Sequence, residues 1–355
     1  MKVMMAGGGT GGHVFPALAV AEELRRRNAS NEVLFVGTDN GIESKVVPAA
    51  GYPLRTLPVA GFQGVNAGAK LRSLALMPGA LWRSRALLRE FEPNVVFGVG
   101  GYASGPAMFA AALGGRPTVL FEANAEPGLA NRLLAPWVTR AAVTYEDTVR
   151  RFGSKGVRTG SPVRPEFFRV PPKQHQPSFT LLIFGGSRGA VGINRAVVDA
   201  LDLLLAGGIP LHFIHQTGER DLESVRIAYA RRGVNADVRP FITDMPAQFA
   251  QADLIVCRSG ASTVAELAAA GRAAILVPFP HATDQHQLRN AEVLQRAGAA
   301  RVVEQSALSA DRLASEILDL LRRPAQLTEM EAAVQRLAVP DAAARIADLI
   351  ESVAR

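Results

Sequence analysis

The sequence predicts an α/β protein made of two Rossmann-like halves, each built on a parallel sheet. Three observations carry that expectation. Apolar strand-like runs alternate with helix-like segments almost from end to end, as in parallel sheets joined by helical crossovers. The chain opens with strand, glycine loop and helix in MKVMMAGGGTGGHVFPALAVAEEL, and the same unit reappears in SFTLLIFGGSRGAVGINRAVVDALDLLLA. At 355 residues there is chain enough for two domains that each bury a core.

In the first half KVMMAG, EVLFVG, PNVVFGVG, PTVLFE and RAAVTY read as strands, with helical patterns such as PALAVAEELRRR and GPAMFAAALG between them. The stretch VRTGSPVRPEFFRVPPKQHQPS is rich in proline and polar residues and lacks periodicity, so it reads as an interdomain linker. Beyond it SFTLLIF, LHFIHQTG, ADVRPF, DLIVCRSG and AAILVPF are further strands, and PDAAARIADLIESVAR is a last helix that fits either half. Two such halves make a cleft between them the expected active site.

Composition narrows the class. Hydrophobic residues at 48% and charged residues at 20% are ordinary for a soluble globular protein. Cys257 is the sole cysteine, which excludes a disulfide framework and a zinc–cysteine cluster and fits a reducing cytoplasm. The N-terminal residues do not read as a signal peptide, and no run nears the roughly 20 apolar residues that span a bilayer. The formal charge of +7 is unevenly placed. Ser44 through Arg89 holds no Asp or Glu but carries Lys45, Arg55, Lys70, Arg72, Arg83, Arg85 and Arg89, which points to an anionic partner on the first half. Nothing resembles an aromatic-rich basic strand or a recognition helix, so nucleic acid is not expected.

The chemistry is concentrated in glycine loops. Gly7, Gly9 and Gly12 satisfy G-x-G-x-x-G, the dinucleotide fingerprint, and Asp39 in VGTDNG stands where a ribose acceptor belongs, although a turn residue is the simpler reading. GGGTGGH suits either a phosphate or the hydroxyl-rich edge of a sugar. A second loop, GVGGYASGP, leaves a strand of the same half and should border the same crevice; a dinucleotide domain does not need it. The third, GGSRG, offers Ser187 to a phosphate, with Arg188 read as a solvated charge. In ADLIVCRSGASTVAELAAAG, Ser262 or Thr263 can cap a helix whose N-terminus neutralises a diphosphate, and Glu266 can accept ribose hydroxyls. The T-x-x-E spacing of Thr263 and Glu266 equally describes a capping box. VPFPHATDQHQLRNA sets Asp284, Gln285, His286, Gln287 and Asn290 at a strand exit, where amides can both donate to and accept from sugar hydroxyls. No D-x-D pair lies beside the glycine loops and no histidine cluster has the look of a metal site, so no metal and no cofactor are expected.

Taken in order, GGTGGHVFPALAVA, GVGGYASGP, FEANAEPGLANR, GSPVR, GGSRGA, CRSGASTVAELAAAG and DQHQLRNA resemble the MurG family of bacterial N-acetylglucosaminyltransferases. The likeness runs from Met1 to about Gly298. It implies the GT-B fold, two Rossmann-like domains with parallel sheets facing a cleft. Residues 1–160, with a last helix at about 340–355 crossing back, would form an acceptor and membrane-facing domain, and residues 161–339 a UDP-GlcNAc-binding one. It further implies inverting transfer of GlcNAc from UDP-GlcNAc to the 4-hydroxyl of MurNAc in lipid I, giving lipid II, at the cytoplasmic face of the cell membrane among other proteins of cell-wall synthesis. Carried over by motif, Thr10, Gly11, Gly12 and Asn124 would touch the donor sugar. Arg164 and Ser187 would face its phosphates, and the main chain near Ile242 would recognise uracil. Ala261, Ser262, Thr263, Val264, Ala265 and Glu266 would bind diphosphate and ribose, and Gln287 the GlcNAc hydroxyls.

Direct displacement at the anomeric carbon needs a base for the acceptor hydroxyl and a stabilised leaving group. His13, which closes the first loop, is the candidate base, and Tyr102 is expected to shape the acceptor site. A polyprenyl acceptor also gives the acid-free region a use. KLRSLALMPGALWRSRALLR interleaves Leu71, Leu74, Leu76, Met77, Leu81 and Trp82 with basic residues, so that residues 44–89 can meet an anionic leaflet. The competing expectations are a related enzyme such as a UDP-GlcNAc 2-epimerase or a transferase with a soluble acceptor, a dinucleotide-dependent oxidoreductase, and a sugar-nucleotide sensor.

Overall fold

The computed structural model describes residues 1–59, 67–186 and 189–355, with side chains at all of these except 67–75. The chain divides into two compact units, Met1–Val163 with Val339–Arg355, and Arg164–Ala338. The first unit runs β1 (Lys2–Ala6), α1 (Gly11–Arg27), β2 (Glu32–Gly37), α2 (Glu43–Ala49), β3 (Leu54–Thr56), α3 (Ala67–Phe91), β4 (Val95–Gly98), α4 (Ser104–Leu113), β5 (Thr118–Glu122), α5 (Leu129–Leu134), β6 (Arg140–Val143), α6 (Glu146–Phe152) and β7 (Gly156–Arg158). Its seven strands lie parallel in the order β3-β2-β1-β4-β5-β6-β7. Central strands covered on both faces need side chains that are apolar without alternation. That is why VVFG and TVLFE are buried at every residue.

The second unit holds α7 (Pro165–Phe168), β8 (Phe179–Phe184), α8 (Val191–Ala206), β9 (Leu211–Gln216), α9 (Leu222–Arg231), β10 (Ala236–Arg239), α10 (Met245–Gln251), β11 (Leu254–Cys257), α11 (Ala261–Ala270), β12 (Ala274–Leu276), α12 (His286–Arg296), β13 (Ala300–Val302), α13 (Ala310–Leu321) and α14 (Pro324–Gln335). Its six strands are parallel in the order β10-β9-β8-β11-β12-β13. This repeats the topology of the first sheet, strand for strand, as far as its sixth member. The last helix, α15 (Ala342–Val353), buries Ala342, Ile346, Ala347 and Ile350, spaced to make one helical stripe. It packs on α1, where Arg27 donates to Asp348 at 2.6 Å, Glu351 at 2.7 Å and the Ala344 carbonyl at 2.9 Å.

Residues 157–178, expected as a linker, are bound at both ends. Val157 and Arg158 pair with β6, and Thr159 donates to the Val143 carbonyl at 3.0 Å. At the other end His175 lies between two carboxylates of the second unit, 2.9 Å from Asp253 and 3.1 Å from Glu331, with its side chain only 2% exposed. Arg272 donates to the Pro171 carbonyl at 2.6 Å. Burial alone would pull the imidazolium pKa down, but the two carboxylates outweigh it and push His175 up to about 9.

Candidate functional site

Parallel sheets of this kind bind ligands beyond the strand carboxyl ends where strand order reverses. The reversal falls between β1 and β4 in one sheet and between β8 and β11 in the other. Ala6 pairs with Gly98 there, and Phe184 with Cys257. Each switch point therefore gathers two of the stretches read from the sequence: GGGTGGH with GVGGYASGP, and Gly185 and Gly186 of the third loop with RSGASTVAE.

At the first switch point the two loops meet main chain to main chain. Gly101 has a left-handed φ of 83°, and a Cβ there would overlap the Gly8 carbonyl. The half-buried His13 ring lies against Gly100, with Nε2 at 3.1 Å from where a Cβ would stand. His13 Nδ1 is 3.2 Å from the Gly8 carbonyl and 3.4 Å from Thr10 Oγ1. A carbonyl only accepts, so in the neutral ring Nδ1 carries the hydrogen and Nε2 holds the lone pair. The helix begins earlier than the sequence pattern suggests: Gly11 and Gly12 form its first turn with His13, and Thr10 is the N-cap without a side-chain capping bond. Tyr102 is exposed at the turn before α4, and Asp39 is an exposed turn residue.

Asn124 is braced from behind. Buried Glu122 accepts its backbone N–H at 2.9 Å and its side-chain amide at 3.1 Å, together with Gly128 N–H at 3.0 Å and Asn131 Nδ2 at 2.8 Å. Desolvation raises the Glu122 pKa, and these four donors pull against it.

At the second switch point α11 starts at Ala261 with Gly260 as N-cap and no side-chain cap. This corrects the expectation that Ser262 or Thr263 caps the helix or that Thr263 and Glu266 form a capping box. Both hydroxyl residues lie inside the first turn, followed by Val264, Ala265 and Glu266, and the helix presents backbone N–H groups at its positive end. Burial pushes Glu266 up to about 7 despite Arg164, whose Nη2 is 3.5 Å from Glu266 Oε1. Arg164 itself lies over the Phe167 ring at 4.9 Å. Ser187 and Arg188 lie outside the described residues.

Two expected donor contacts prove to have internal partners. The Ile242 N–H donates to Gln216 Oε1 at 2.8 Å, while Gln216 Nε2 donates to the Gly186 carbonyl at 2.8 Å. A uracil can therefore take the Ile242 N–H only by displacing Gln216. Gln287 Oε1 accepts the Phe279 N–H at 3.0 Å, leaving its NH₂ as the donor to offer. Just before it Asp284 and Gln285 hold left-handed φ values of 49° and 53°, a strain of the kind that collects at binding loops. Asn290 is buried and donates to the Ser259 carbonyl, so it shapes the loop from within. Among the described residues no group of three or more His, Cys, Asp or Glu is placed to hold a metal ion.

Glu43, Glu122, Gln216 and Arg258 shape these loops as well, though no spacing in the sequence singles them out. Arg258 is buried and binds the Val277 and Pro278 carbonyls at 3.0 and 3.1 Å and Gln305 at 2.6 Å, fixing the turn before α11.

Residues 3–143 match the glycosyltransferase family 28 N-terminal domain, and residues 180–346 its C-terminal domain. A UDP-N-acetylglucosamine--N-acetylmuramyl-(pentapeptide) pyrophosphoryl-undecaprenol N-acetylglucosamine transferase of Syntrophus aciditrophicus is 46% identical, covering 98% of this chain and 97% of its own. The Myxococcus xanthus enzyme of the same name is also 46% identical, over 98% of this chain and 92% of its own. The crystal structure of Acinetobacter baumannii MurG superposes with a TM-score of 0.82 at 33% identity, covering 99% of each chain. The fold is GT-B, and with both domains matched in order the chain belongs to glycosyltransferase family 28 and, within it, to the MurG transferases.

Proposed function

We propose that this glycosyltransferase moves GlcNAc from UDP-GlcNAc to the 4-hydroxyl of MurNAc in lipid I, with inversion at the anomeric carbon, producing lipid II. The observation that carries the reading is identity of 46% along nearly the whole chain to enzymes named for N-acetylglucosamine transfer between UDP-N-acetylglucosamine and N-acetylmuramyl-(pentapeptide) pyrophosphoryl-undecaprenol. The geometry supports it at both switch points.

The second unit takes the nucleotide. First-turn N–H groups of α11, with the Ser262 and Thr263 hydroxyls, receive the diphosphate, and Glu266 accepts the ribose hydroxyls. Arg164, exposed beside Glu266, supplies a cation to the leaving phosphate. Ser187 adds a hydroxyl on the phosphate side, Gln287 donates to a GlcNAc hydroxyl, and uracil displaces Gln216 from Ile242. The first unit takes the sugars through Thr10, Gly11, Gly12 and Asn124, with Tyr102 on the acceptor side. His13 Nε2 removes the proton from the acceptor 4-hydroxyl as its oxygen attacks the anomeric carbon and the bond to UDP breaks. Charge on departing UDP is met by dipole ends and Arg164 without a metal ion.

The dinucleotide alternative loses its footing at the same loop. A G-x-G-x-x-G turn that binds pyrophosphate keeps its amides for the ligand, whereas the Gly9 N–H already binds the buried Glu43 carboxylate at 2.7 Å.

The lipid acceptor places the enzyme on the inner face of the cell membrane as a peripheral protein, and among the described residues no helix is long and apolar enough to cross a membrane. In α3 Ala80, Ser84, Leu87 and Leu88 are buried, while Trp82 is 73% exposed beside exposed Arg83, Arg85 and Arg89. Leu76, Met77 and Leu81 are half-buried, and the side chains of Lys70, Leu71, Arg72 and Leu74 lie outside the described residues. Neighbouring α4 and α5 add exposed Leu113, Leu129 and Leu133, with Trp137 just beyond. A tryptophan set among arginines, extended by leucines, suits an anionic lipid surface. The decisive experiment is transfer of radiolabelled GlcNAc from UDP-GlcNAc to a short-chain lipid I analogue. Labelled disaccharide product supports the reading, and hydrolysis or 2-epimerisation without transfer overturns it.

A further inference from the structure

We propose that Glu43 is a positioning residue for this reaction, fixing the first glycine loop, and His13 with it, from beneath. It stands at the start of α2, yet its side chain turns inward and the residue is 1% exposed. The carboxylate accepts three donors: the Gly9 N–H at 2.7 Å, the Thr38 N–H at 2.9 Å and the Thr38 hydroxyl at 2.7 Å. A buried carboxylate persists only where donors converge on it.

The surrounding backbone is cut away to admit it. A Cβ at Gly37 would come within 2.6 Å of Glu43 Cγ, and one at Gly8 or Gly41 would overlap the carboxylate itself. Glycines from the first loop, the end of β2 and the turn before α2 thus leave space for the same side chain. Of the residues tied to it, Gly9 is the one that leads to the reacting group. Gly9 lies between Gly8, whose carbonyl faces His13 Nδ1, and Thr10, whose carbonyl accepts the His13 N–H at 3.1 Å. The anchor therefore sits between both supports of the imidazole.

The inference rests on His13 acting at the reacting centre, as proposed above. Displacing a catalytic group by about 1 Å costs on the order of 100-fold in rate. Glu43→Gln keeps the shape but leaves one carbonyl oxygen to serve donors that now use two, and turns an NH₂ toward an N–H. It is expected to lower kcat about 10- to 100-fold while KM for UDP-GlcNAc stays within about twofold. In a His13→Ala background the same substitution should cost no more than about twofold, because the group it positions is gone. The Gly9 amide should exchange with solvent at least about tenfold faster in Glu43→Gln, with no substrate present. Glu43→Asp, which keeps the charge and shortens the reach, should fall between wild type and Glu43→Gln in all three measurements, and it carries the test alone where Glu43→Gln does not fold. Wild-type kcat in the variant, equal losses with and without His13, or unchanged Gly9 exchange overturns the proposal. If the wild-type chain transfers no GlcNAc, the functional reading fails by itself and Gly9 exchange still decides whether Glu43 holds the loop.

Discussion

Lowering the pH from 8 to 6 should weaken UDP-GlcNAc binding about tenfold through Glu266 alone. Burial raises its pKa, Arg164 only partly opposes this, and the carboxyl titrates at about 7. At that value it is about nine-tenths ionised at pH 8 and about one-tenth at pH 6. Two ribose hydroxyls can donate to a carboxylate but find one acceptor fewer on the acid, so affinity tracks the ionised fraction. The change amounts to about 1.4 kcal/mol. The sugar nucleotide is the right ligand, because the terminal phosphate of free UDP titrates in the same range. Calorimetry in buffers of different ionisation enthalpy should also register proton release below pH 7. The unliganded chain should respond with the opposite sign. Its native pKa lies above the unfolded value, so the folded state keeps a proton that the unfolded state gives up between about 4.5 and 7, and stability falls as pH rises through that window, by up to about 3 kcal/mol. Glu266→Gln should therefore bind UDP-GlcNAc weakly with a flat pH profile, yet melt higher than wild type at pH 8. Affinity that is level from pH 6 to 8, or a pH slope that survives in Glu266→Gln, refutes the reasoning.

Other consequences follow from the remaining sites. His13→Ala should lower kcat by about 100-fold or more, the ordinary worth of a general base, with donor KM little changed; near-normal turnover with an unaltered pH profile removes the assignment. His175, raised to about 9 in the fold against 6.5 unfolded, should stabilise the chain by about 2.5 kcal/mol at pH 7 and by less than about 0.5 kcal/mol at pH 9. In urea unfolding the deficit of His175→Gln should thus be large at pH 7 and fade as pH rises through 9, and a deficit independent of pH contradicts it. Replacing Arg83 and Arg85 by Gln should weaken co-sedimentation with anionic vesicles about 30-fold, at about 1 kcal/mol for each charge. Equal binding of wild type to neutral and anionic vesicles contradicts the proposed surface.

What the sequence displayed and what it concealed divide along physical lines. Long apolar strands such as FTLLIF and TVLFE were legible because a strand covered on both faces has little choice of residue. The three-residue strands LRT, GVR and ARV were not, since their pairing is set by the neighbouring strand and not by any pattern of their own. The glycine loops announced themselves, but the start of α1 at Gly11 did not, because glycine is a poor helix former and tertiary contacts override propensity there. Thr263 and Glu266 have the spacing of a capping box, yet the chain turns at Gly260, so the signal described neighbours within the first turn. Glu43 and Gln216 were invisible for a different reason. ESKVVP and HFIHQ look like an ordinary helix start and strand end, and the partners Gly9 and Ile242 come within reach only when the fold closes. His175 likewise passes for a polar linker residue until Asp253 and Glu331 close around it.

The proposed transfer depends most on where the donor nucleotide is gripped, and amide hydrogen exchange with UDP-GlcNAc added in excess EDTA measures that directly. Strong new protection across residues 261–266 in the absence of any divalent ion is the predicted result. Protection that appears only when magnesium is supplied, or that falls on residues 7–13 and leaves 261–266 unchanged, would contradict it.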